Sequence, residues 1–353
     1  MKILDRYIVQ AVVAGALVAI VIVVSLNVLF EFINESGDAG GAYTIWHAFL
    51  YVLLTTPYRL YEAFPVATLL GSLMALGGLA GRSELVAMRA AGVSVFAIAR
   101  AVCIAGVLLA LVAAAVGEWV APRAQRLAER VQAVGSDQPV AGTLGSGFWF
   151  RDGDRYVRVG RAPERNTIEG VEVYRVEGRE LRSVITAPVG HYRGGAWELD
   201  SATLTRLAAD GSVTTEKEGQ LELKADLKPE MLDVIVVEPE TLPLTDLLDY
   251  IRYLDRNGLQ SERYRLAFWI KVATPLATIT MLLLTVPLAF GSLRSTGAGQ
   301  RVFVGVLIGL TFFLLNRLLN RAGLVFGLPP VVSALTPTLA FLALALAGIS
   351  RVR

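Results

Sequence analysis

Residues Ile8–Phe30 read IVQAVVAGALVAIVIVVSLNVLF, and Gln10, Ser25 and Asn27 are their only polar side chains. Coiled as an α-helix, this stretch rises roughly 34 Å at 1.5 Å per residue, enough to cross a hydrocarbon core of ~30 Å. Its apolar part is too long for a signal peptide, and no small-x-small cleavage pattern follows Phe30, so it is expected to persist as a membrane helix. Further apolar runs lie at Ala63–Ala80, Val93–Gly117, Leu266–Phe290, Val302–Leu319 and Val331–Ile349. Pro57, Pro65, Pro275, Pro287 and Pro337 sit within or at the edges of these runs, which membrane helices tolerate where neighbours satisfy the freed carbonyls. Six spans are predicted, with Asn316, Arg317, Asn320 and Arg321 entering the distal end of the fifth.

Between the third and fourth runs the texture changes. From about Gln138 to Val237 residues alternate in the manner of strands, as in Arg155-Tyr156-Val157-Arg158-Val159 and Val171-Glu172-Val173-Tyr174-Arg175-Val176. Turn signals recur at Asp152-Gly153, Glu177-Gly178, Gly194-Gly195 and Asp210-Gly211. A sandwich, jelly roll or open barrel is expected, its outward Arg and Glu residues solvating a sheet face. Thr245 then stands where it would cap a short amphipathic helix carrying Leu247, Leu248, Ile251 and Leu254 on one face, with Gly258 as its stop. The predicted fold is membrane α-helical, six transmembrane helices with an inserted all-β, jelly-roll-like domain. Residues 1–122 hold the first three helices, 123–243 the β domain with its connecting segment, and 244–353 the amphipathic connector and the last three helices.

Several function classes drop out. A net charge of +2 is not the basic signature of a nucleic-acid binder. Cys103, the single cysteine, falls inside the third span, so the β domain has no disulfide framework. With only His47 and His191 and no second cysteine, no His/Cys zinc site is expected. Ser292, Ser295 and His47 are scattered rather than arranged as a nucleophile and its base, so no enzyme is predicted. The chain has no Gly-x-x-x-x-Gly-Lys-Ser/Thr loop for nucleotide phosphate and no carboxylates placed in its spans as a proton relay. If it moves a substrate, the energy comes from another polypeptide.

Lys and Arg concentrate in short cytoplasmic loops. With the N-terminus inside, that side receives Lys2, Arg6, Arg82, Arg89, Arg294, Arg301, Arg351 and Arg353. The opposite side's first loop carries Glu31, Glu35 and Asp38, and its last one Arg317 and Arg321. Both termini are therefore expected in the cytoplasm and the β domain outside, in the periplasm of a bacterium.

The loop Gly81-Arg82-Ser83-Glu84-Leu85-Val86-Ala87-Met88-Arg89-Ala90-Ala91-Gly92 predicts a two-turn helix on the cytoplasmic side, capped by Ser83 and ended by Gly92. Glu84 at its start and Arg89 near its end both suit the helix dipole. Leu85 and Met88 are spaced to point one way, as a knob for a groove on a soluble partner or as the face of an interfacial helix turning the chain back into the membrane. Arg123, Arg126 and Arg130 fall on one arc of a helix continuing past the third span, where they would form a cationic rim or simply a solvated face. Arg59, Arg317 and Arg321 are further candidates for that rim, and Lys271, following Arg263 and Arg265, has a stem long enough to lift its ammonium to the interface.

Leu4-Asp5-Arg6-Tyr7-Ile8, Phe64-Pro65 followed by Leu69-Leu70-Gly71, Arg82–Val86 with Ala91-Gly92, Gly117-Glu118-Trp119-Val120-Ala121-Pro122 and Gly327-Leu328-Pro329-Pro330 occur in this order. Together they resemble the lipopolysaccharide-export permease family (LptF/LptG type), nearer its G-type than its F-type subunit. The resemblance implies a heterodimer with a homologous LptF-like permease in the inner membrane of a Gram-negative cell, served by an LptB-like cytoplasmic ATPase dimer and an LptC-like single-span periplasmic protein. Lipopolysaccharide is then the substrate. This chain would bind no cofactor, and the ATPase would use ATP and Mg. The short helix becomes the coupling helix, with Glu84 its main polar contact, Leu85 and Met88 packing, and Arg82 and Arg89 beside them. The first and fifth spans would flank lateral openings to a central cavity. The carboxylates Glu31, Glu35 and Asp38 depart from the lysines that family members can place there, so no substrate role is carried over to that segment. A permease for another amphiphile, such as outer-membrane lipoproteins, would use similar parts.

Overall fold

A computed structural model describes residues 3–37, 43–133, 148–164, 166–177, 180–208, 212–223, 239–290 and 297–352. Six of its helices are long and apolar enough to cross a membrane. They are built from α1 (Ile3–Ser36), α2 (Ile45–Gly81), α4 (Val95–Ala115) continuing through a π turn (Val116–Val120) into α5 (Ala121–Ala133), α7 (Glu262–Phe290), α8 (Ala298–Phe326) and α9 (Pro330–Arg351), with α3 (Glu84–Ala90) and α6 (Leu244–Arg256) as short connecting helices. The helices reach beyond the apolar runs because polar ends continue the hydrogen-bonded ladder until a cap or a glycine stops it. The third one carries Arg123, Arg126 and Arg130 on to Ala133 before the first strand.

α2 is the axis of the bundle, with two thirds of its apolar window buried, whereas α1 and α8 have 17% each. One apolar cluster joins Ile8 and Val12 of α1, Phe64 and Leu79 of α2, Leu85 of α3, Ile98 of α4 and Val286 of α7. A second joins Leu69, Met281, Phe312 and Phe341 across α2, α7, α8 and α9. Lipid is as apolar as these side chains, so close packing rather than hydrophobicity selects the contacts, and small residues mark them. At the α1–α2 crossing a Cβ on Gly71 would lie 2.3 Å from the Gly15 carbonyl oxygen. On α8, Gly305 and Gly309 admit Leu70 and Val66 of α2 in the same way.

The inserted domain is a six-stranded antiparallel sheet: β1 (Phe148–Asp152), β2 (Arg155–Glu164), β3 (Thr167–Glu177), β4 (Glu180–Arg193), β5 (Ala196–Leu207) and β6 (Val213–Leu223), ordered as in the chain. Its described strands form an antiparallel meander, each paired with the next, in keeping with the expected all-β insert. Gly153 and the Gly194-Gly195 pair take positive φ in two-residue turns, as the hairpin signals require. Turn positions 178–179 and 209–211 lie outside the described residues.

The register brings Gly160, Gly170, Pro188, Ser201 and Gly219 level across five strands, with Gly170 and Ser201 at φ of 65° and 52°. On either side of this line the inward positions change parity, from Ile168 to Val171 in β3 and from Leu199 to Ala202 in β5. The line is a crease: glycines in β2, β3 and β6, Pro188 in β4 and Ser201 at positive φ in β5 mark where the strands bend together. Trp197, Val157, Val159 and Val173 fill the covered face.

α6 begins one residue earlier than the expected cap. Thr245 turns its hydroxyl to Asp246 instead of capping, and the Leu244 N–H donates to both carboxylate oxygens of Glu118, at 2.9 and 3.0 Å. Gly258, at φ 64°, ends the turn that follows α6. Leu247, Ile251 and Leu254 are buried, but Tyr250 and Tyr253 complete that face as a stacked pair which the leucine pattern alone did not show.

Candidate functional site

A cavity of about 370 Å³ lies between α2, α7, α8 and α9. Pro65, Val66, Ile270, Phe312 and Phe313 form its apolar wall, and Arg263, Arg317 and Arg321 supply cations at its polar side. Arg317 and Arg321 stand one helical turn apart on α8, and the Arg317 guanidinium lies 5.7 Å from the centre of the Phe313 ring. Glu62, Glu240, Asn316 and Asn320 add acceptors to the same wall. Among the described residues Glu240 Oε2 and Asn320 Oδ1 are buried without a hydrogen-bond partner, so a ligand able to donate there would satisfy them. An apolar wall joined to a mixed, net cationic polar side is the chemistry of an amphiphile with an anionic, hydroxyl-bearing head. Arg317 and Arg321 were legible as arginines intruding on an apolar run. Glu62, Glu240 and Arg263 carry no such signal, since each reads as an ordinary helix-end charge until the bundle closes.

The other arginine candidates lie elsewhere. Arg123, Arg126 and Arg130 share one face of α5, but none lines this cavity. Arg126 reaches Asp246 of α6 at 3.7 Å, and Arg123 and Arg130 are exposed, so their common arc ties and solvates the α5–α6 corner. Arg59 donates to Glu31 across the α1–α2 interface. The acidic C-terminal part of α1 is thereby partly explained: Glu31 is the counter-ion of Arg59, and Glu35 accepts from the Tyr43 hydroxyl at 2.7 Å. Asp38 lies outside the described residues.

Lys271 corrects another expectation. Its ammonium does not rise to an interface; the side chain is 5% exposed, donates to the Gly117 carbonyl at 2.9 Å and stands 3.5 Å from Glu118. The π turn presents that carbonyl and carboxylate on one side, and a glycine is required there because a Cβ on Gly117 would sit 2.6 Å from the Tyr61 ring. Tyr61 in turn donates to the Lys271 carbonyl at 3.2 Å. Lys271, Glu118 and the α6 N-terminus thus form one junction between the third span, the fourth span and the connector from the β domain. Buried ammonium that loses its carboxylate is strongly destabilised, so Glu118→Ala should cost on the order of 3 kcal/mol and lower the thermal midpoint in detergent. Glu118→Gln, which keeps an acceptor for Leu244 N–H, should lose less; equal losses would show that the charge is irrelevant.

At the opposite end of the bundle, α3 follows α2 after Ser83, which is held at φ 60° and makes no side-chain cap, contrary to its expected role. Gly92, at φ 85°, closes the helix with its N–H on Arg89 O while Val93 N–H reaches Met88 O. Leu85, expected beside Met88 on a docking face, is 1% exposed and seals α3 to its own bundle, with Met88 half-buried against the same cluster. The same apolar spacing serves an internal contact because the nearest apolar surface is the bundle itself. The outward face is Val86, Ala87, Ala90 and Ala91. Glu84 accepts from the Tyr7 hydroxyl at 2.6 Å and from Arg82 Nε at 2.7 Å, and these donors hold its carboxyl below the usual range. Arg89 lies 6.0 Å from the centre of the Phe290 ring. Among the described residues no cluster of three His, Cys, Asp or Glu side chains suits a metal.

Six spans, an inserted β domain and a cationic-sided cavity among the helices define a multi-pass membrane protein built as a permease. The chain matches the family described as "Lipopolysaccharide export system permease LptF/LptG" over residues 6–351, and it belongs to that family. It is 32% identical over 348 residues to the lipopolysaccharide export system permease protein LptG of Escherichia coli K12, covering 98% of this chain and 97% of that protein. LptG of Haemophilus influenzae is 31% identical over 96% of both chains. LptF of E. coli K12 is more distant, at 26% identity over 83% of this chain and 79% of that protein.

Proposed function

We infer that this chain is a permease subunit of the lipopolysaccharide transporter, sited in the bacterial inner membrane, and that it passes the lipid toward a periplasmic bridge to the outer membrane. The observation that carries the reading is the cavity: apolar on one wall, lined by Arg263, Arg317 and Arg321 on another, and bounded by α8, one of the two least buried helices. Its volume of about 370 Å³ is at the small end of the ~300–1,000 Å³ of pockets that enclose a drug-sized ligand. A lipid with several acyl chains does not fit within it, so the chain supplies one part of a site that a paired LptF-like permease completes. In this reading the arginines meet headgroup phosphate, and Glu240 and Asn320 accept from headgroup hydroxyls. Phe312 and Val66 meet acyl chain.

The remaining parts of the proposal follow from charge and energy. Both termini and α3 face the cytoplasm, where a soluble LptB-like dimer hydrolyses ATP with Mg. Arg82, Glu84, Met88 and Arg89 frame its docking surface, with Val86 and Ala90 presented between them. An LptC-like single-span protein receives the lipid on the β-domain side. Depleting the chain in its native cell and fractionating the membranes tests the whole reading. Newly made lipopolysaccharide should be retained in the inner membrane; normal delivery, with an outer-membrane lipoprotein held back instead, would overturn the substrate.

A further inference from the structure

α1 is anchored by its foot. All of its buried residues, Asp5, Ile8, Val9, Val12 and Ala16, lie in its first half, and from Leu17 onward none is buried. The foot is fastened on both sides of α3. Asp5 pairs with Arg100 of α4 at 3.0 Å just after α3, and the Tyr7 hydroxyl donates to Glu84 in the first turn of α3 itself. Leu85 adds a buried wedge in the cluster that holds Ile8, Val9 and Val12. Ser83, immediately before Glu84, is a non-glycine residue in the left-handed region, a conformation that persists only where its surroundings hold it. The Tyr7–Glu84 bond gives α3 a direct polar link to the foot of α1, and beyond Ala16 no buried residue restrains α1.

We propose that Tyr7 is a positioning residue of the transport stroke: its hydrogen bond to Glu84 makes α1 follow α3 when the ATPase moves α3. The proposal rests on α3 being the ATPase docking element. Tyr7 and Arg82 each use one of the Glu84 oxygens, and a carboxylate has about four lone-pair sites, so Glu84 can hold both and still accept from a docked partner. Removing the tyrosine hydroxyl uncouples α1 without removing the carboxylate or the ring.

The test uses the complete complex in proteoliposomes, comparing wild type with Tyr7→Phe. ATPase co-purification and basal ATP hydrolysis should match wild type, while lipopolysaccharide released per ATP should fall by about tenfold, the scale of losing one hydrogen bond to a charged group. Spin labels at Leu26→Cys on α1 and Leu53→Cys on α2, in a Cys103→Ser background, report the tilt. Their separation should change with ATP when Tyr7 is present and stay constant in Tyr7→Phe. Unchanged release per ATP, or an ATP-dependent separation that survives in Tyr7→Phe, would overturn the proposal. So would loss of ATPase association, because Tyr7 would then serve docking. A wild-type complex that hydrolyses ATP and releases no lipopolysaccharide would instead overturn the permease reading itself.

Discussion

Gly71→Val should detach α1 from the bundle and abolish assembly of a functional permease. Any Cβ at this position meets backbone: the Gly15 carbonyl oxygen at 2.3 Å and Ala16 Cα at 2.5 Å. The facing glycine is equally constrained, since a Cβ on Gly15 would lie 2.5 Å from Gly71 O. A flexible side chain yields to such a contact, but two helix backbones yield only by moving apart. Overpacking typically costs ~1–3 kcal/mol, and the absence of a side chain that can swing aside places this site at the upper end, about 3 kcal/mol. Separation would also open the small-residue seam through which the largely exposed α1 associates with α2. The measurement is cysteine cross-linking between α1 and α2 in membranes together with the thermal midpoint in detergent. Met74→Val, on the same helix with its side chain exposed, is the control. Wild-type cross-linking and midpoint in Gly71→Val would refute the close approach.

Reversing both Arg317 and Arg321 to Glu should weaken lipid-stimulated ATP hydrolysis of the reconstituted complex far more than basal hydrolysis. The two side chains line the same cavity from one face of α8, so the double reversal turns its polar side from net cationic to anionic. Losing two hydrogen-bonded contacts to phosphate predicts an apparent lipid affinity about a hundredfold weaker. The paired comparison is Arg123→Glu with Arg130→Glu, which changes the same number of charges on the exposed face of α5 outside this cavity. That variant should stimulate nearly as well as wild type. Equal losses in both variants would mean that overall charge, not the cavity, governs the response. A joint fall of basal and stimulated rates in the α8 variant would indicate damaged assembly.

The membrane class was legible because each span must hide its backbone within itself, which leaves a long uncharged run in the chain. Hairpin turns at Gly153 and Gly194-Gly195 were legible for a similar reason, since positive φ selects glycine locally. The arginine triad shows where that legibility ended. Arg123, Arg126 and Arg130 do share a helix face, but periodicity says only which residues face together and not what they face. Leu85 makes the same point: its spacing from Met88 identified an apolar face, and the nearest apolar surface turned out to be the protein's own helix bundle.

The amino-acid sequence by itself determined six spans, an all-β insert, the short helix ended by Gly92 and the family to which the chain belongs. These are properties of contiguous residues: hydrophobic length, alternation and turn chemistry act within a few residues of one another. Only the tertiary structure decided that Glu118 caps α6, that Lys271 is buried beside it, that Tyr7 holds Glu84, and that Arg263, Arg317 and Arg321 share a cavity. Each of those contacts joins residues far apart in the chain. Their partners are chosen by how closely helices approach at Gly15, Gly71 and Gly117, and by the cost of leaving a polar group unpaired where the packed bundle removes it from water.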